Sequence, residues 1–116
     1  MNKYTARGLV EAAHDDRKKI TVLADTGRDL VQALRELRAA VDDRRWAVKR
    51  ERRAHGHELI EFISGGEIRV RNANRIDLRS TRVDVVYFDF EPSLDIISAC
   101  QDQLAGTVWV ELVRPT

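Results

Sequence analysis

Two short apolar runs constrain the fold of this chain more than any other feature. Residues 20–24 read ITVLA and residues 83–90 read VDVVYFDF. Neither shows the regular polar alternation of a strand with one wet face, so each predicts a strand that is covered on both faces. Covering both faces of a sheet requires helices on both sides. We therefore predict an α/β domain with a mixed sheet, a β-hairpin and flanking helices, with residues 83–90 as the central strand.

Apolar residues at helical spacing predict two helices in the N-terminal third. The first covers residues 5–16, with Thr5 as its expected N-cap. Thr26 is placed to cap the second, with Asp29 three residues later in the manner of a capping box. The apolar stripes that define the two helices are Leu9, Val10 and Ala13, then Leu30, Leu34, Leu37 and Val41.

The C-terminal third predicts a helix followed by a strand. Pro92 and Ser93 open the helix, and Gly106 is a suitable stop. The inner face of this helix is expected to carry Leu94, Ile97, Cys100 or Gln101, and Leu104. A final strand over residues 107–113 would place Val108, Val110 and Leu112 on one face.

A glycine turn predicts a hairpin over residues 57–73. Gly65 and Gly66 can both take positive φ, and the segments on either side alternate. The first strand turns Leu59, Phe62 and Ile63 inward, and the second puts Ile68 and Val70 opposite Glu67, Arg69 and Arg71. A polar loop over residues 72–81 follows.

Residues 42–56 admit two interpretations. The segment either extends the preceding helix or forms an exposed strand with Trp46 and Val48 facing inward.

Length and cysteine content bound the class of protein. With 116 residues, the chain predicts one domain, residues 1–116. Cys100 is the sole cysteine, which excludes an internal disulfide and fits a reducing compartment, so we expect a cytoplasmic protein. Its place on the inner helix face favours a core role over a nucleophilic one. No run approaches the length of a membrane helix, and the N-terminus lacks the apolar centre of a signal peptide.

The charge is unevenly distributed although the net charge is only +1. Residues 44–82 carry eleven basic and five acidic side chains, whereas residues 83–116 carry one basic and six acidic ones. This asymmetry predicts either nucleic-acid binding or a contact between the two segments, within the fold or across a homo-oligomer or other protein partner. The candidate nucleic-acid-binding residues are Arg44, Arg45, Trp46, Lys49, Arg50, Arg52, Arg53, Arg69 and Arg71.

Acidic residues follow both apolar runs. Asp25 comes after the first, and Asp89 and Glu91 lie at the end of the second. In open α/β sheets ligands bind beyond the carboxyl ends of the strands, where carboxylates can hold a hydrated magnesium ion. Asp89 and Glu91 are therefore the candidate metal ligands, and the alternative is that such residues only cap the next helix.

The segment SGGEIRVRNANRIDLRSTRVDVVYFDFEP (residues 64–92) resembles the second half of the ATPase core of helicases and phage terminase large subunits. Leu78-Arg79 matches the start of their Leu-Arg-Gly-type loop, and Asp89 matches the first acid of their Walker B motif. The chain departs from that pattern at Ser80 and Phe90, where the family has glycine and the catalytic glutamate. It also contains no GxxxxGK[ST] phosphate-binding loop. The resemblance implies a core without catalysis, and the size and arginine content fit a phage or mobile element.

Two other patterns have simpler explanations. LADTGRD is similar to the active-site loop of retroviral aspartic proteases, but a strong helical stripe follows it directly where that family is nearly all β. His14, His55 and His57 have no cysteine pair beside them and are expected to be scattered surface residues.

These observations favour a non-catalytic interaction domain that modulates a larger machine or binds nucleic acid. We expect no cofactor and no membrane contact. The alternative is a magnesium-dependent nucleotide hydrolase or nuclease that uses Asp25, Asp89 and Glu91.

Overall fold

One mixed sheet organises the molecule, as the sequence predicts. The computed structural model describes residues 1–78, 82–104 and 110–115. Within them, six strands lie in the order β2-β3-β4-β1-β5-β6. The strands are β1 (Lys19–Ala24), β2 (Val48–Arg52), β3 (Leu59–Phe62), β4 (Glu67–Asn72), β5 (Val85–Phe88) and β6 (Glu111–Val113), and the helices are α1 (Lys3–Asp15), α2 (Gly27–Ala40) and α3 (Leu94–Gln103).

Parallel and antiparallel pairs divide the sheet. β1 is parallel to both β4 and β5, and β5 is parallel to β6. β3 is antiparallel to β2 and to β4, which confirms the predicted hairpin. β5 is an internal strand but not the central one, because β4 adds to the opposite side of β1 and leaves β1 and β4 in the middle. The radius of gyration, 13.1 Å, is close to the roughly 13 Å expected of one domain of this length.

Helices α1 and α2 pack on the first face of the sheet, chiefly over β1 and β4. Alternate residues of β1 and β4, among them Val22 and Val70, are fully buried under them. Gly66 lies so close to α1 that a Cβ there would stand 1.6 Å from the carbonyl oxygen of Ala13. The hairpin turn and α1 therefore meet backbone to backbone, which requires glycine at this position.

Helix α3 covers only part of the second face. Its Cys100 and Leu104 pack with Leu23 of β1 and with Val86 and Phe88 of β5. Among the described residues, no helix packs on this face over β2, β3 and β4. We call β1, β5 and β6 the three-layered half and β2, β3 and β4 the open half.

The helix caps correct one prediction and confirm two. Asn2, not Thr5, caps α1, and its side chain accepts a hydrogen bond from the Thr5 N–H at 2.9 Å. The helix therefore begins at Lys3, two residues before the predicted start, because Asn2 supplies the cap. Thr26 caps α2 as predicted. Helix α3 begins directly after Pro92 and Ser93, as predicted, and Ser93 is its N-cap.

Three apolar residues lie outside, contrary to prediction. Trp46, Ile63 and Leu94 are 70%, 60% and 79% exposed. Residues 42–56 form neither a longer helix nor one strand: a 3₁₀ segment, Asp42–Ala47, precedes β2, and Ala47 takes the buried position in place of Trp46. Ile63 lies in the hairpin turn and Leu94 in the first turn of α3, and both side chains project away from the core.

Some predicted features lie outside the described residues. They are Arg79 and Ser80 of the Leu-Arg loop, the helix stop at Gly106 and the inward Val108. In the part of the chain that is described, no helix combines the length and apolar character needed to cross a bilayer.

Candidate nucleic-acid interface

Strand register collects charged side chains on the second face of the open half. Directly opposed residues in a ladder project from the same face. One row across the sheet is Arg50, Glu61, Glu67 and Lys19, and the next is Arg52, Leu59, Arg69 and Thr21. We call the charged residues of these rows the basic face: it holds Lys19, Arg50, Arg52 and Arg69 against Glu61 and Glu67.

Arg52 and Arg50 carry the least compensated charge of the basic face. Arg52 is exposed, and no ion pair or hydrogen bond of its side chain exists within the described residues. Arg50 lies 3.9 Å from Glu61, and Lys49 approaches the same carboxylate at 3.6 Å. Two cations therefore share one carboxylate, and a third has none.

Glu67 holds the other two cations in place. Lys19 donates to it at 3.0 Å, and Arg69 donates to its second oxygen. Burial alone would raise the pKa of Glu67, but the hydrogen bonds and charges of Arg69 and Lys19 outweigh burial and hold the pKa below its ordinary value. This end of the face is a fixed ion cluster, whereas the β2 end is unclamped.

The predicted basic stretch is divided by strand alternation. Arg45 and Arg53 turn to the helix-covered side, where they lie 3.2 and 3.7 Å from Glu51. Arg38 of α2 donates to the same carboxylate at 2.7 Å. Three arginines therefore gather around Glu51, with Asp42 beside Arg45, on the helix-covered side, and they do not join Arg50 and Arg52 in one surface.

Trp46 and Arg44 form a separate cluster with α1. Arg44 donates to Asp15 at 2.9 Å. His14 lies between Trp46 and Phe62, with ring centroids 5.4 and 5.7 Å away. Its side chain is only 15% exposed, so the prediction of a scattered surface residue is wrong for His14. His55 and His57 are exposed, as predicted.

Arg71 is anchored at the end of the open half. Its Nη1 donates to the carbonyl oxygens of Glu58 at 2.7 Å and Val70 at 2.8 Å. Burial and then the nearby charge of Arg69 lower the pKa of the Arg71 guanidinium. Glu58 is buried, and its Oε1 has no hydrogen-bond partner. Arg71 is therefore held rigidly and extends the basic face only at its edge.

Asp89 and Glu91, the two candidate metal ligands, have separate partners. The α-ammonium group of Met1 lies 2.7 Å from Asp89 and 3.2 Å from Glu36. Glu91 is exposed and lies 3.7 Å from Arg114, and Asp25 is exposed beyond β1. Within residues 1–78, 82–104 and 110–115, no group of three or more His, Cys, Asp or Glu side chains is placed to hold a metal ion.

Sequence reasoning missed Lys19 as a member of the basic face. Lys19 precedes the apolar run of β1, and only the pairing of β1 with β4 brings it beside Glu67. No family model, curated protein or solved structure matches this chain.

Proposed function

We propose that this chain is a non-catalytic interaction domain that binds nucleic acid through the basic face of the open half. The observation that supports this most is the weakly compensated pair Arg50 and Arg52 on a sheet face that no described helix covers. Arg50 shares Glu61 with Lys49, and Arg52 has no partner within the described residues. Arginine presents a planar fork of donors that matches phosphate oxygens. A flat row of such groups suits a phosphate backbone, which dominates nucleic-acid affinity.

The composition of the face favours binding with little sequence preference. Its described side chains include no aromatic ring on which a base could stack, since Trp46 belongs to the cluster with α1. Leu59 is the apolar residue between Arg52 and Arg69 in their row. Contacts to phosphate and sugar position a protein on nucleic acid but do not select a sequence.

The likeness to ATPase cores supports a second part of the proposal, which concerns the larger machine on which this domain acts. Strand β5, which leads to Asp89 of the likeness, lies between β1 and β6 and is parallel to both. The chain lacks the glycine-rich loop and lysine that grip a triphosphate. We infer a core-like domain that modulates a larger machine acting on nucleic acid.

The test compares two double variants from the same short segment. Arg50→Ala with Arg52→Ala removes two charges from the basic face, and Arg45→Ala with Arg53→Ala removes two from the helix-covered side. Fluorescence anisotropy with labelled single- and double-stranded oligonucleotides measures the affinity. We expect the affinity of the first variant to fall about tenfold or more, and the slope of log affinity against log salt concentration to become smaller by about two. The second variant should bind nearly as the wild type does.

Three outcomes would contradict the proposal. Equal losses in both variants would indicate unspecific attraction. A doubled mass without DNA that falls to the monomer in Arg50→Ala with Arg52→Ala would assign the face to a second copy. Cleavage of the oligonucleotide in Mg²⁺, abolished by Asp89→Ala in a variant that still folds, would favour the nuclease alternative.

A further inference from the structure

A cavity opens where β1 and β4 end. Its volume is about 350 Å³, within the range of small-molecule sites. The carboxyl ends of parallel strands are where α/β sheets bind ligands. Its lining includes Gly27 and Leu30 of α2, Arg71 and Asn72 at the end of β4, and Arg75 and His55 from the two adjoining loops.

The polar groups of this cavity are held by local structure. The His57 N–H donates to the Ala54 carbonyl at 2.8 Å, and Gly56 in this turn has a φ of +82°, which glycine adopts without strain. The turn presents His55 to the cavity. Asn72 caps the short 3₁₀ helix Ala73–Arg75 by accepting from the Asn74 N–H at 2.8 Å, which places Arg75.

Every charged side chain that lines the cavity is basic. Arg71 is fixed by its bonds to two carbonyl oxygens, and no carboxylate is among the described lining residues. Arg75 and His55 have no ion pair or hydrogen-bond partner within the described residues. Leu30, which is 5% exposed, supplies an apolar wall.

Among the described residues, two other depressions of at least this size differ in charge. One, of about 360 Å³, mixes Arg17, Lys18, Lys19 and Arg82 with the carboxylates of Asp16 and Asp84. The groove beside Trp46, of about 620 Å³, mixes Arg7 and Arg44 with three carboxylates, Glu11, Asp15 and Asp43. An anion entering that groove would meet carboxylates as well as arginines, whereas the described lining of the cavity at the strand ends carries arginines and no carboxylate. The nearby acid, Glu58, is buried beside Arg71 and is not part of the lining.

We propose that the cavity at the ends of β1 and β4 binds the phosphate group of a nucleotide, either free or at the end of a nucleic-acid strand. Arg71 and Arg75 would contact phosphate oxygens, and His55 would donate from its turn. The wall at Leu30 would meet the less polar remainder of the ligand. Two arginines without an acid favour the doubly charged phosphate over a single carboxylate. This site lies beyond the basic face and does not depend on it.

The test is a calorimetric titration of the full chain with AMP, adenosine and inorganic phosphate. We expect AMP to bind, adenosine to bind at least tenfold more weakly, and Arg75→Ala and His55→Ala to weaken AMP binding about tenfold and severalfold. Arg35→Ala, which removes a charge from the exposed side of α2, is the matched control and keeps wild-type affinity. Thermal melting confirms that each variant is folded.

Two further ligands distinguish the source of the phosphate. If the site takes a strand end, a 5′-phosphorylated oligonucleotide binds more tightly than its 5′-hydroxyl counterpart, and Arg75→Ala removes the difference. If it takes a free nucleotide, AMP binds and the two oligonucleotides do not differ. No AMP binding at millimolar concentration, equal binding of adenosine, or an equal loss in Arg35→Ala would overturn the inference. Arg50→Ala with Arg52→Ala leaves AMP binding unchanged, so failure of the basic face is separable from failure of the cavity.

Discussion

The two halves of the sheet solve the problem of burial differently. In the three-layered half, β5 is buried along its whole length, between α1 and α2 on one face and α3 on the other. In the open half, α1 and α2 bury one face, and the other face meets solvent with charged side chains. The chain distributes its charge accordingly, because residues 44–82 are rich in arginine and residues 83–116 are acidic. A face on which no helix of the described residues packs is available for a partner.

The comparison also shows how the open half avoids pairing with the sheet of another molecule. Lys49, Arg50 and Arg52 crowd the edge strand β2, and a bulge interrupts its pairing between Val48 and Arg50. Charge and bulges on an edge strand discourage pairing with another sheet. The same residues that protect the edge supply the basic face.

Truncating one large core residue in each half gives the largest expected contrast. Phe88 is 1% exposed beneath α3, and Leu59 is 8% exposed on the second face of β3. Phe88→Ala should lower the free energy of unfolding by about 3–5 kcal/mol, and Leu59→Ala by roughly 2 kcal/mol, since no helix of the described residues packs on Leu59. Urea denaturation measures both. Equal losses would mean that a partner or a second copy covers the open half in solution.

The contact that ties the open half to α1 gives the next largest effect. Gly66→Ala drives a Cβ into the Ala13 carbonyl, so the backbone must move, and we expect a loss of about 3 kcal/mol. Gly8→Ala is the control, because nothing lies within 4 Å of a Cβ there and alanine favours helix α1, for a gain of about 0.5–1 kcal/mol. If Gly66→Ala unfolds at the same urea concentration as the wild type, the close approach is absent.

The smallest effect concerns the ion cluster at Glu67. Its folded pKa lies below the unfolded value, so ionised Glu67 stabilises the fold at neutral pH, and this contribution disappears as the pH falls below about 4.5. Glu67→Gln should lower the free energy of unfolding by about 1 kcal/mol at pH 7. Below about pH 4.5, the free energy of unfolding of this variant should fall less steeply with pH than that of the wild type. Glu61→Gln, with contacts of 3.6 and 3.9 Å, should change less. If the free energy of unfolding falls equally with pH in the wild type and in Glu67→Gln, ionised Glu67 does not stabilise the fold.

The sequence predicts the fold best for strands that are buried on both faces and for helices that begin at a recognisable N-capping residue. The runs at β1 and β5, the stripe of α2 and the caps at Thr26 and Ser93 all depend on neighbours within a few residues. The 3₁₀ segment before β2 was not predicted, because Trp46 resembles a core residue until Ala47 is seen to occupy the buried position.

The candidate site was less accessible from the sequence. The basic stretch was visible, but alternation along β2 sends Arg52 to the open face and Arg53 to Glu51, and the start of that alternation depends on a bulge. Lys19 and the cavity at the strand ends depend on which strands are neighbours. That pairing involves residues far apart in the chain, which no local pattern encodes.

Mapping amide chemical shifts by NMR during titration with an oligonucleotide tests the central claim most directly. We predict that the shifted amides cluster in residues 50–52, 59–61 and 67–69 and at Lys19, while residues 94–103 of α3 stay unchanged. Shifts concentrated on α3 or around Trp46, or no shifts at all, would show that the open half is not the nucleic-acid-binding surface.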